Sequence, residues 1–396
     1  MRQTQIVKEN FRSRYNQEPI IVRSPGRINL LGEHIDYNQG IVLPASIDRN
    51  IFLGIGKRND DRIELYSCDY KDSCSTDINS LQRSEKHWPN YILGVVDQLR
   101  SDGYQLGGVN IAFSGDIPEG AGLSSSAALE CAATYALSHI FNLNLSPVKI
   151  ALISQRAEHE FVGVNCGLMD QFASVFGKQD QVIKLDCKDN SYSYLPFGFP
   201  NKNFLLFDTG IKHSLASSEY NLRRKQCDKG LELIQHHEPS IRSLREVSEP
   251  MLVKYVLPHD EISYKRCSYV VAEIARVIEA CKYLLDNEPE NFGSKMFECH
   301  EGLTHLYNVS CPELDFLVTL AKAERGILGA RMMGGGFGGC TINLVDARSV
   351  EKVIENVSSS YKDKYGISPR PIVVSLAAGT SLAQETEVLQ SAADHD

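Results

Sequence analysis

One group of residues suited to chemistry lies near the start of this sequence, in the segment 27–40. Glu33, His34 and Asp36 place two carboxylates around one histidine, and Arg27 opens the segment. Such carboxylates could bind a metal ion, accept hydrogen bonds from hydroxyl groups of a polar ligand, or cap turns of the chain. The glycines and asparagines of the segment predict a convoluted path, and the residues by themselves leave these three uses open.

Asp170 belongs to a second group. It follows a glycine-flanked loop and has apolar neighbours at the start of a helical pattern. An aspartate there could cap the helix, or it could orient or deprotonate a substrate hydroxyl, as carboxylates do in kinases. Arg27 could form a surface salt bridge or offset phosphoryl charge in a transition state. Glu158, in the middle of a predicted helix, could face solvent or bind Mg²⁺ together with a serine hydroxyl.

The glycine- and serine-rich stretch 120–128 has the features of an anion site. Gly120 and Gly122 permit positive φ and close backbone approach, and the serines are natural N-cap residues for the Ala-rich helix that follows. The start of such a helix carries unpaired N–H groups and a partial positive charge, which favour a phosphate. The stretch is neither a Walker P-loop, since it lacks a Lys-Ser or Lys-Thr pair, nor a Gly-x-Gly-x-x-Gly dinucleotide motif.

Two further features also have a structural and a functional interpretation. Trp88, the single tryptophan, is more typical of a hydrophobic core than of a platform for adenine. The glycine-rich run 334–339 cannot form the interior of a helix, and its entropic cost implies that close backbone approach requires it. We find no convincing zinc-ligand spacing and no Gly-x-Ser-x-Gly nucleophile motif.

Short apolar runs and helical periodicities predict the elements that must position these residues. Strands are predicted near 20–22, 41–44, 51–55, 63–66, 109–113, 182–186, 204–207, 341–345 and 372–376. Helices are predicted over 1–18, near 92–99, from the serines of 120–128 to about 141, after Pro147, and near 264–286, 313–325 and 348–365. A turn is predicted at 24–26, and two prolines and a glycine predict a linker over 191–203. Because strands and helices are intermixed, the predicted fold class is α+β.

Length and composition set broad limits. A chain of 396 residues predicts two domains, with a boundary near 195–200. The formal charge of −9 argues against nucleic acid as the main partner. An apolar leader and apolar runs of about 18 residues are absent from the sequence, and the eleven scattered cysteines predict reduced thiols, so we expect a cytoplasmic protein away from membranes. The end of the chain, from about residue 385, is predicted to be disordered.

Taken together, the motifs resemble those of the galactokinases among the GHMP small-molecule kinases. The segment 24–38 is similar to the galactokinase signature, 118–127 to the phosphate-binding motif and 333–340 to the third motif, in the family's order. The resemblance covers nearly the whole chain, and the motifs are long and specific. In one mild departure, Ala121 stands where many members have glycine, and we expect an ordinary backbone conformation there.

The resemblance implies a two-domain fold with the active site between the domains. Residues 1–197 would form a domain like the second domain of ribosomal protein S5, carrying the sugar signature and the phosphate-binding loop, and 198–396 a ferredoxin-like domain. The implied activity is transfer of the γ-phosphoryl group of ATP, with Mg²⁺, to the anomeric hydroxyl of α-D-galactose, giving galactose 1-phosphate. The implied partners are these small molecules, and we expect a monomer or a weak oligomer.

The resemblance also implies roles for individual residues. Asp170 falls on the catalytic aspartate and Arg27 on its activating, charge-stabilising partner. The sugar-contacting positions are Glu33, His34, Asp36, Gly167 and Tyr220. The Mg²⁺ ligands fall on Ser126 and Glu158. The nucleotide-contacting positions are Gly120, Gly122, Leu123, Ser124, Ser125, Ser126, Ala127 and, beside the adenine, Trp88.

Two related functions are the alternatives. One is phosphorylation of N-acetylgalactosamine by a paralogue with the same signatures, against which the segment 37–40 favours plain galactose. The other is a non-catalytic sensor that binds galactose and ATP and then a transcriptional repressor. Such sensors lack a Ser-Ala pair in the second motif, so the presence of Ser126 and Ala127 favours catalysis.

Overall fold

The strands of the computed structural model, which describes residues 3–212 and 216–383, form three sheets. They are β1 (Ile20–Asn29), β2 (Ile41–Val42), β3 (Pro44–Lys57), β4 (Arg62–Ser67), β5 (Asp72–Asp77), β6 (Val109–Gly115), β7 (Gln181–Asp186), β8 (Ser191–Pro196), β9 (Lys202–Lys212), β10 (Ile327–Met332), β11 (Gly338–Asp346), β12 (Arg370–Val374) and β13 (Ser381–Leu382). The sheets have the orders β13-β1-β3-β6-β4-β5, β2-β7-β8 and β10-β11-β9-β12. Neighbouring strands are antiparallel except β4 and β6, which are parallel.

Helices cover these sheets and confirm the predicted α+β class. They are α1 (Gln3–Tyr15), α2 (Pro89–Ser101), α3 (Ser125–Ile140), α4 (Pro147–Arg156), α5 (Met169–Phe176), α6 (Ala216–Gln235), α7 (Glu249–Tyr255), α8 (Glu261–Leu285), α9 (Pro289–Gly302), α10 (Pro312–Ala323) and α11 (Val350–Tyr365). Single π-helical segments follow α4 and α9, at Ala157–Val162 and Leu303–Tyr307. Such π segments are frequent at functional sites, and the first of them carries Glu158.

The hydrophobic core is continuous between the two halves of the chain. One large cluster of buried side chains extends from Val22 on β1 to Leu344 on β11 and includes residues of α3 and α8. A smaller cluster, with Phe207, Val318 and Tyr361, lies between the third sheet and helices α10 and α11. The two halves therefore pack against each other directly, and the cleft between their loops lies above a shared core.

The predicted turn at 24–26 is wrong, because these residues lie within β1. The register between β1 and β3 shifts between Pro25 and Arg27, as in a β-bulge. Proline has no N–H to donate to the ladder, so an irregular register is the expected way to accommodate it inside a strand. A Cβ on Gly26 would lie 2.7 Å from the carbonyl oxygen of Leu123, so glycine lets the phosphate-binding loop lie directly on this strand.

The predicted linker at 191–203 is wrong over most of its length. Residues Ser191–Pro196 form β8, which pairs with β7 along its whole length. Serines and tyrosines alternate along β8, and the hydroxyl of Tyr194 donates to the carbonyl of Phe176 at 2.7 Å. This period of two is typical of a half-buried strand and outweighs the turn signal of the prolines. Residues 197–201 connect β8 to β9. The domain boundary predicted between residues 197 and 198 lies within this connection and stays a prediction.

Several elements have no counterpart in the sequence prediction. These are β5, α6, α7, α9 and β10. Helix α6 is rich in charged residues, so its apolar periodicity is weak, although it carries Tyr220 into the cleft. The last described strand, β13, returns to pair with β1, and the hydroxyls of Ser24 and Thr380 are hydrogen-bonded at 2.8 Å.

Two expectations from the sequence concern the chain as a whole. Among the helices of the described residues, none is long and apolar enough to cross a membrane. The disorder predicted from about residue 385 concerns residues outside those described.

Candidate active site

The phosphate-binding loop and helix α3 form one wall of the cleft. Gly120 and Gly122 have positive φ, as predicted, whereas Ala121 does not. Ser124 occupies the N-cap position of α3 in the left-handed region, with φ of 58°, but its side chain makes no capping hydrogen bond. Ser124 therefore occupies the predicted N-cap position, but the predicted capping hydrogen bond from its side chain is wrong. Backbone N–H groups at the start of α3 lack that side-chain partner, as an anion site requires.

The hydroxyl of Ser124 instead binds Asp170, which also pairs with Arg27. Arg27 donates from Nε and Nη2 to the two carboxylate oxygens of Asp170 at 2.8 and 3.0 Å, and Ser124 donates to Oδ2 at 2.5 Å. The third Arg27 nitrogen, Nη1, donates to the carbonyl of Gly122 at 2.5 Å. Asp170 lies in the first turn of α5 and caps no helix. These contacts fix Arg27, Asp170 and the phosphate-binding loop relative to one another.

The glycine-rich third motif comes close to the backbone of the phosphate-binding loop and to that of Val309. Gly334 and Gly336 have positive φ. A Cβ on Gly334 would lie 3.3 Å from the Cα of Gly122, and a Cβ on Gly336 would lie 2.2 Å from the carbonyl oxygen of Val309. The close approach that the sequence implied is therefore present, and it is an approach between two loops of the same chain.

Two cavities lie on either side of the contact between Ser126 and Glu158, and the Arg27–Asp170 pair lines the smaller one. The smaller, of about 240 Å³, is lined by all five predicted sugar-contacting positions. Its lining includes Glu33, His34, Asp36, Gly167 and Tyr220. The larger, of about 550 Å³, extends from the start of α3 towards Trp88 and Phe113. Ser126 lines the larger cavity and Glu158 the smaller, so the two cavities are adjacent at these residues.

Asp36 and Gly167 fit closely together at the base of the smaller cavity. A Cβ on Gly167 would lie 1.7 Å from Oδ2 of Asp36, so a larger residue would displace the carboxylate. Burial, with the nearby charges of Asp170 and Glu33 adding to it and that of Arg27 opposing it, raises the pKa of Asp36 to about 7. A buried carboxyl group without a full cationic partner is suited to accept hydrogen bonds from ligand hydroxyls.

The Glu33 carboxylate is anchored by Arg331, a fully buried arginine on β10. Nη1 of Arg331 lies 2.8 Å from Oε2 of Glu33, and its Nε donates to the carbonyl of Leu30 at 3.0 Å. Two residues of α8 support the same segment: Glu273 accepts from the N–H of Gly32 at 2.8 Å, and the Tyr269 hydroxyl donates to the carbonyl of Glu33 at 2.8 Å. The second half of the chain thus holds the segment that carries Glu33, His34 and Asp36.

His34 lines the smaller cavity, but both of its ring nitrogens have protein partners. Nδ1 lies 2.8 Å from the hydroxyl of Tyr37, and Nε2 lies 3.2 Å from the carbonyl oxygen of Gly335. The residue adopts left-handed backbone, with φ of 62°. Burial lowers the pKa of His34 to about 4, so the imidazole is neutral at physiological pH.

Glu158 is buried, so the solvent-facing alternative is wrong. The hydroxyl of Ser126 donates to Oε1 of Glu158 at 3.3 Å, and the Gln171 amide donates to Oε2 at 2.8 Å. Burial first, and then the charge of Asp170, raise the pKa of Glu158 to about 7. A carboxylate buried among neutral donors gains from a nearby cation, and the hydroxyl and carboxylate oxygens are hard donors of the kind Mg²⁺ prefers. The residues present therefore fit a magnesium ion.

Trp88 is a buried residue that also lines a cavity. Its Nε1 donates to the carboxylate of Asp72 at 3.1 Å, and its ring lies 5.5 Å from that of Phe113. Both aromatic rings line the larger cavity together with Ile51 and Leu129. Both interpretations of Trp88 from the sequence are therefore compatible with its position.

Residues that the sequence did not indicate hold the candidate site together. They are Arg331, Glu273, Tyr269, Tyr307 and Gln171. Arg331 lies two residues before the third motif, and Gln171 directly follows Asp170, so proximity to a motif was an available signal for these two. The other three lie in ordinary helical patterns. As a whole, the cleft can hold a polyphosphate at α3 and a hydroxyl-rich ligand among carboxylates, with Arg27 and Asp170 between them.

Models of known families match the stretches of sequence that form most of this cleft. The model for the GHMP kinases N terminal domain matches residues 90–178, and that for the GHMP kinases C terminal domain matches 273–363. The model for the galactokinase galactose-binding signature matches residues 9–57, which include the segment held by Arg331.

Whole-chain comparisons agree with the family models. The chain is 40% identical over 361 residues to a galactokinase of Roseiflexus sp. (strain RS-1), covering 91% of this chain and 92% of that protein. It is 42% identical over 348 residues to a galactokinase of Thermosipho africanus (strain TCF52B), covering 88% and 95%. It is similar to a crystal structure of Lactococcus lactis galactokinase complexed with galactose, with a TM-score of 0.91 and 32% identity over 95% and 98% of the two chains. The Methanococcus jannaschii mevalonate kinase shares the fold, with a TM-score of 0.62 and 20% identity over 91% and 98%.

The buried Arg331–Glu33 pair leads to a stability prediction. Arg331→Met leaves Glu33 buried without its cation, so we expect a loss of about 3–5 kcal/mol in the free energy of unfolding. Urea unfolding measures this loss, with Arg325→Met, at an exposed arginine on the surface, as the matched control expected to change by less than about 0.5 kcal/mol. The double variant Arg331→Met, Glu33→Gln should regain part of the loss, because its buried carboxamide carries no charge. Equal midpoints for the two arginine variants would contradict the prediction.

Proposed function

The chain belongs to the galactokinases of the GHMP kinase family and is an ATP-dependent sugar kinase, and we propose that Asp170 and Arg27 are the residues that assist transfer of the γ-phosphoryl group from ATP to the anomeric hydroxyl of galactose. The observation that carries this assignment is the bidentate pair between Arg27 and Asp170, joined to the phosphate-binding loop by Ser124. The pair lines the smaller cavity and is bonded to the loop that begins α3, so an acceptor hydroxyl in that cavity and a terminal phosphate at the loop would come together beside it.

ATP would occupy the larger cavity. The start of α3 and the glycines of the loop provide backbone N–H groups for the phosphates, and Gly120, Ser125 and Ser126 line this cavity. The adenine would lie near Trp88. The remaining residues of the loop assigned to the nucleotide are Gly122, Leu123, Ser124 and Ala127. Arg27 is buried beside the loop, and its positive charge would offset the negative charge that develops on the phosphoryl group.

Asp170 would hold the attacking hydroxyl in line with the phosphate. An ionised carboxylate offers about four acceptor positions. Arg27 and Ser124 supply three hydrogen bonds to Asp170, so an acceptor position is left for the sugar hydroxyl. The sugar oxygen forms the new bond to phosphorus, the bond from phosphorus to the β-phosphate oxygen breaks, and Asp170 holds the hydroxyl proton during transfer. A carboxylate fixed by an arginine in this way is suited to orient a hydroxyl.

Ser126 and Glu158 would hold Mg²⁺. When bound there, the ion would neutralise charge on the β- and γ-phosphates. Its fit rests on the buried carboxylate of Glu158 and the hydroxyl donor 3.3 Å away. Gln171 orients the carboxylate from the opposite side, through its amide group.

Galactose would lie in the smaller cavity, whose lining includes carboxylates that accept hydrogen bonds from hydroxyls. We assign Glu33, His34, Asp36, Gly167 and Tyr220 to its surroundings. Carboxylates are efficient acceptors for neighbouring hydroxyls, and the fixed positions of Glu33 and Asp36 favour one arrangement of hydroxyls over others. This arrangement supports a neutral polyhydroxylated acceptor.

The cellular location, the oligomeric state and the domain bounds of the enzyme are also proposals. The eleven cysteines are all free thiols, which fits the reducing conditions of the cytoplasm. We propose that the chain works there as a monomer or a weak oligomer on small-molecule substrates, with domains over 1–197 and 198–396.

A substrate panel tests the proposed function. ADP release from Mg·ATP is measured with galactose, N-acetylgalactosamine, glucose or no sugar. We expect turnover on galactose, and a fall in kcat of about 10²-fold or more in Asp170→Asn, because the carboxamide cannot hold the hydroxyl proton. Asp189→Asn, at an exposed aspartate in the β7–β8 turn, is the matched control.

Three outcomes of the panel would contradict the assignment. Equal turnover of N-acetylgalactosamine would favour the paralogue. Galactose binding in a calorimeter without turnover would favour the sensor. More than about a tenth of wild-type kcat in Asp170→Asn would remove Asp170 from the central role.

The raised pKa of Asp36 predicts that galactose binding depends on pH. The ionised form accepts hydrogen bonds better than the protonated form, and the group titrates near pH 7. The KM for galactose should therefore be lowest above pH 7 and rise as the pH falls below it, by up to about tenfold per unit. The KM for ATP should rise over the same range, because the pKa of Glu158, a proposed Mg²⁺ ligand, is also raised to about 7, so the Asp36→Asn variant is the control for the effect on galactose. In Asp36→Asn the KM for galactose should be raised and independent of pH between 6 and 8. The same pH dependence in this variant would contradict the role of Asp36.

A further inference from the structure

A chain of hydrogen bonds leads from His34 away from the smaller cavity into the core. The Tyr37 hydroxyl lies 2.8 Å from Nδ1 of His34 and 2.9 Å from the hydroxyl of Tyr307. The Tyr307 hydroxyl lies 3.4 Å from the thiol of Cys227. At the other end, Nε2 of His34 lies 3.2 Å from the carbonyl oxygen of Gly335 in the third motif. His34, Tyr307 and Cys227 are buried.

The chemistry of the end groups sets the direction of every bond in this chain. A carbonyl oxygen can only accept, so Nε2 of His34 carries the ring proton and Nδ1 must accept from Tyr37. Because the single Tyr37 proton is used there, the Tyr307 hydroxyl donates to the Tyr37 oxygen. The thiol of Cys227 then donates to Tyr307. This order holds for the neutral imidazole, since a doubly protonated ring would donate to Tyr37 and reverse the bonds beyond it.

The chain connects four separately placed parts of the cleft. Tyr307 ends the π-helical segment after α9, and Cys227 lies on α6, two turns beyond Tyr220. The His34 ring lies 5.2 Å from the Tyr220 ring and 5.1 Å from the Tyr307 ring, and the Tyr37 ring lies 5.2 Å from that of Tyr220. Tyr220 is thus packed against the same side chains that the chain of hydrogen bonds fixes.

We propose that His34 is a positioning residue, held as the Nε2–H tautomer by donation from Tyr37 and Tyr307, and that this fixed imidazole places Tyr220 and Gly335 around the sugar. The inference rests on the proposed function for the identity of the sugar, but the tautomer and its dependence on Tyr37 can be measured without any substrate. His34 thereby acts through its neighbours, and its two nitrogens are not available to sugar hydroxyls.

Kinetics of tyrosine variants test the positioning role. Tyr37→Phe and Tyr307→Phe each remove one donor and keep the ring, so we expect the KM for galactose to rise roughly 5- to 20-fold while the KM for ATP stays within about twofold. Tyr361→Phe is the matched control. Tyr361 is buried, lines neither cavity, and donates its hydroxyl to the carbonyl of Thr209 at 3.2 Å, so loss of this hydroxyl should leave both KM values unchanged. Unchanged galactose KM in both Tyr37→Phe and Tyr307→Phe would overturn the proposal.

The tautomer is measured directly on protein labelled with ¹⁵N in the histidine rings. The variant His34→Gln identifies the His34 signals among the eleven histidines in long-range ¹H–¹⁵N spectra. We expect the Nε2–H pattern in the free protein, little change on saturation with galactose, and a shifted Nδ1 signal in Tyr37→Phe. An Nδ1–H pattern, or ring nitrogens that shift strongly when galactose binds, would overturn the proposal and make His34 a direct sugar ligand.

The two measurements separate the possible failures. Absence of galactose turnover together with the expected tautomer in the free protein would refute the proposed function and leave the hydrogen-bond chain intact. Galactose turnover with the Nδ1–H tautomer would refute the chain and leave the proposed function intact.

Discussion

A guanidinium group buried between the two halves of the chain is the interaction on which the rest of the cleft depends. Arg331 is fully removed from water, and its partners are the carboxylate of Glu33 and backbone carbonyls of residues 29, 30 and 332. A buried charge requires partners in fixed positions, so the strand end that carries Glu33 cannot move independently of β10. The third motif begins directly after β10. Arg331 therefore fixes Glu33, on one side of the smaller cavity, relative to the strand that leads into the third motif.

The charges around the cleft are divided between the two ligands that it would bind. Carboxylates line the smaller cavity, where burial and, secondly, their mutual repulsion raise the pKa of Asp36 and of Glu158. Such groups favour neutral hydroxyl donors and a cation. On the phosphate side, the start of α3 and Arg27 provide positive potential through backbone N–H groups and one guanidinium. An acidic protein can therefore bind a polyanion, since local geometry and not net charge determines the site.

The sequence predicts local features of the site well and distant contacts poorly. Positive φ at Gly120 and Gly122 follows from the residue type, and the positions of Arg27 and Asp170 follow from motif resemblance. The mixed fold class and the long helix α8 follow from apolar periodicity. Arg331 and Glu273 could not be predicted, because their partners lie far away in the chain and both residues resemble surface residues of an ordinary strand or helix. The same limit explains the error at β8, where pairing with β7 outweighs the local turn signal of two prolines.

The position of the new phosphate on the sugar gives the most direct evidence for the proposed chemistry. Wild-type protein with Mg·ATP and galactose is followed by proton-coupled ³¹P NMR. If the anomeric hydroxyl attacks, the phosphomonoester signal is a doublet that shares its coupling with the anomeric proton, and it grows as ATP is consumed. A triplet from phosphorylation at the C6 hydroxyl, or consumption of ATP without any sugar phosphate, would contradict transfer to the anomeric hydroxyl.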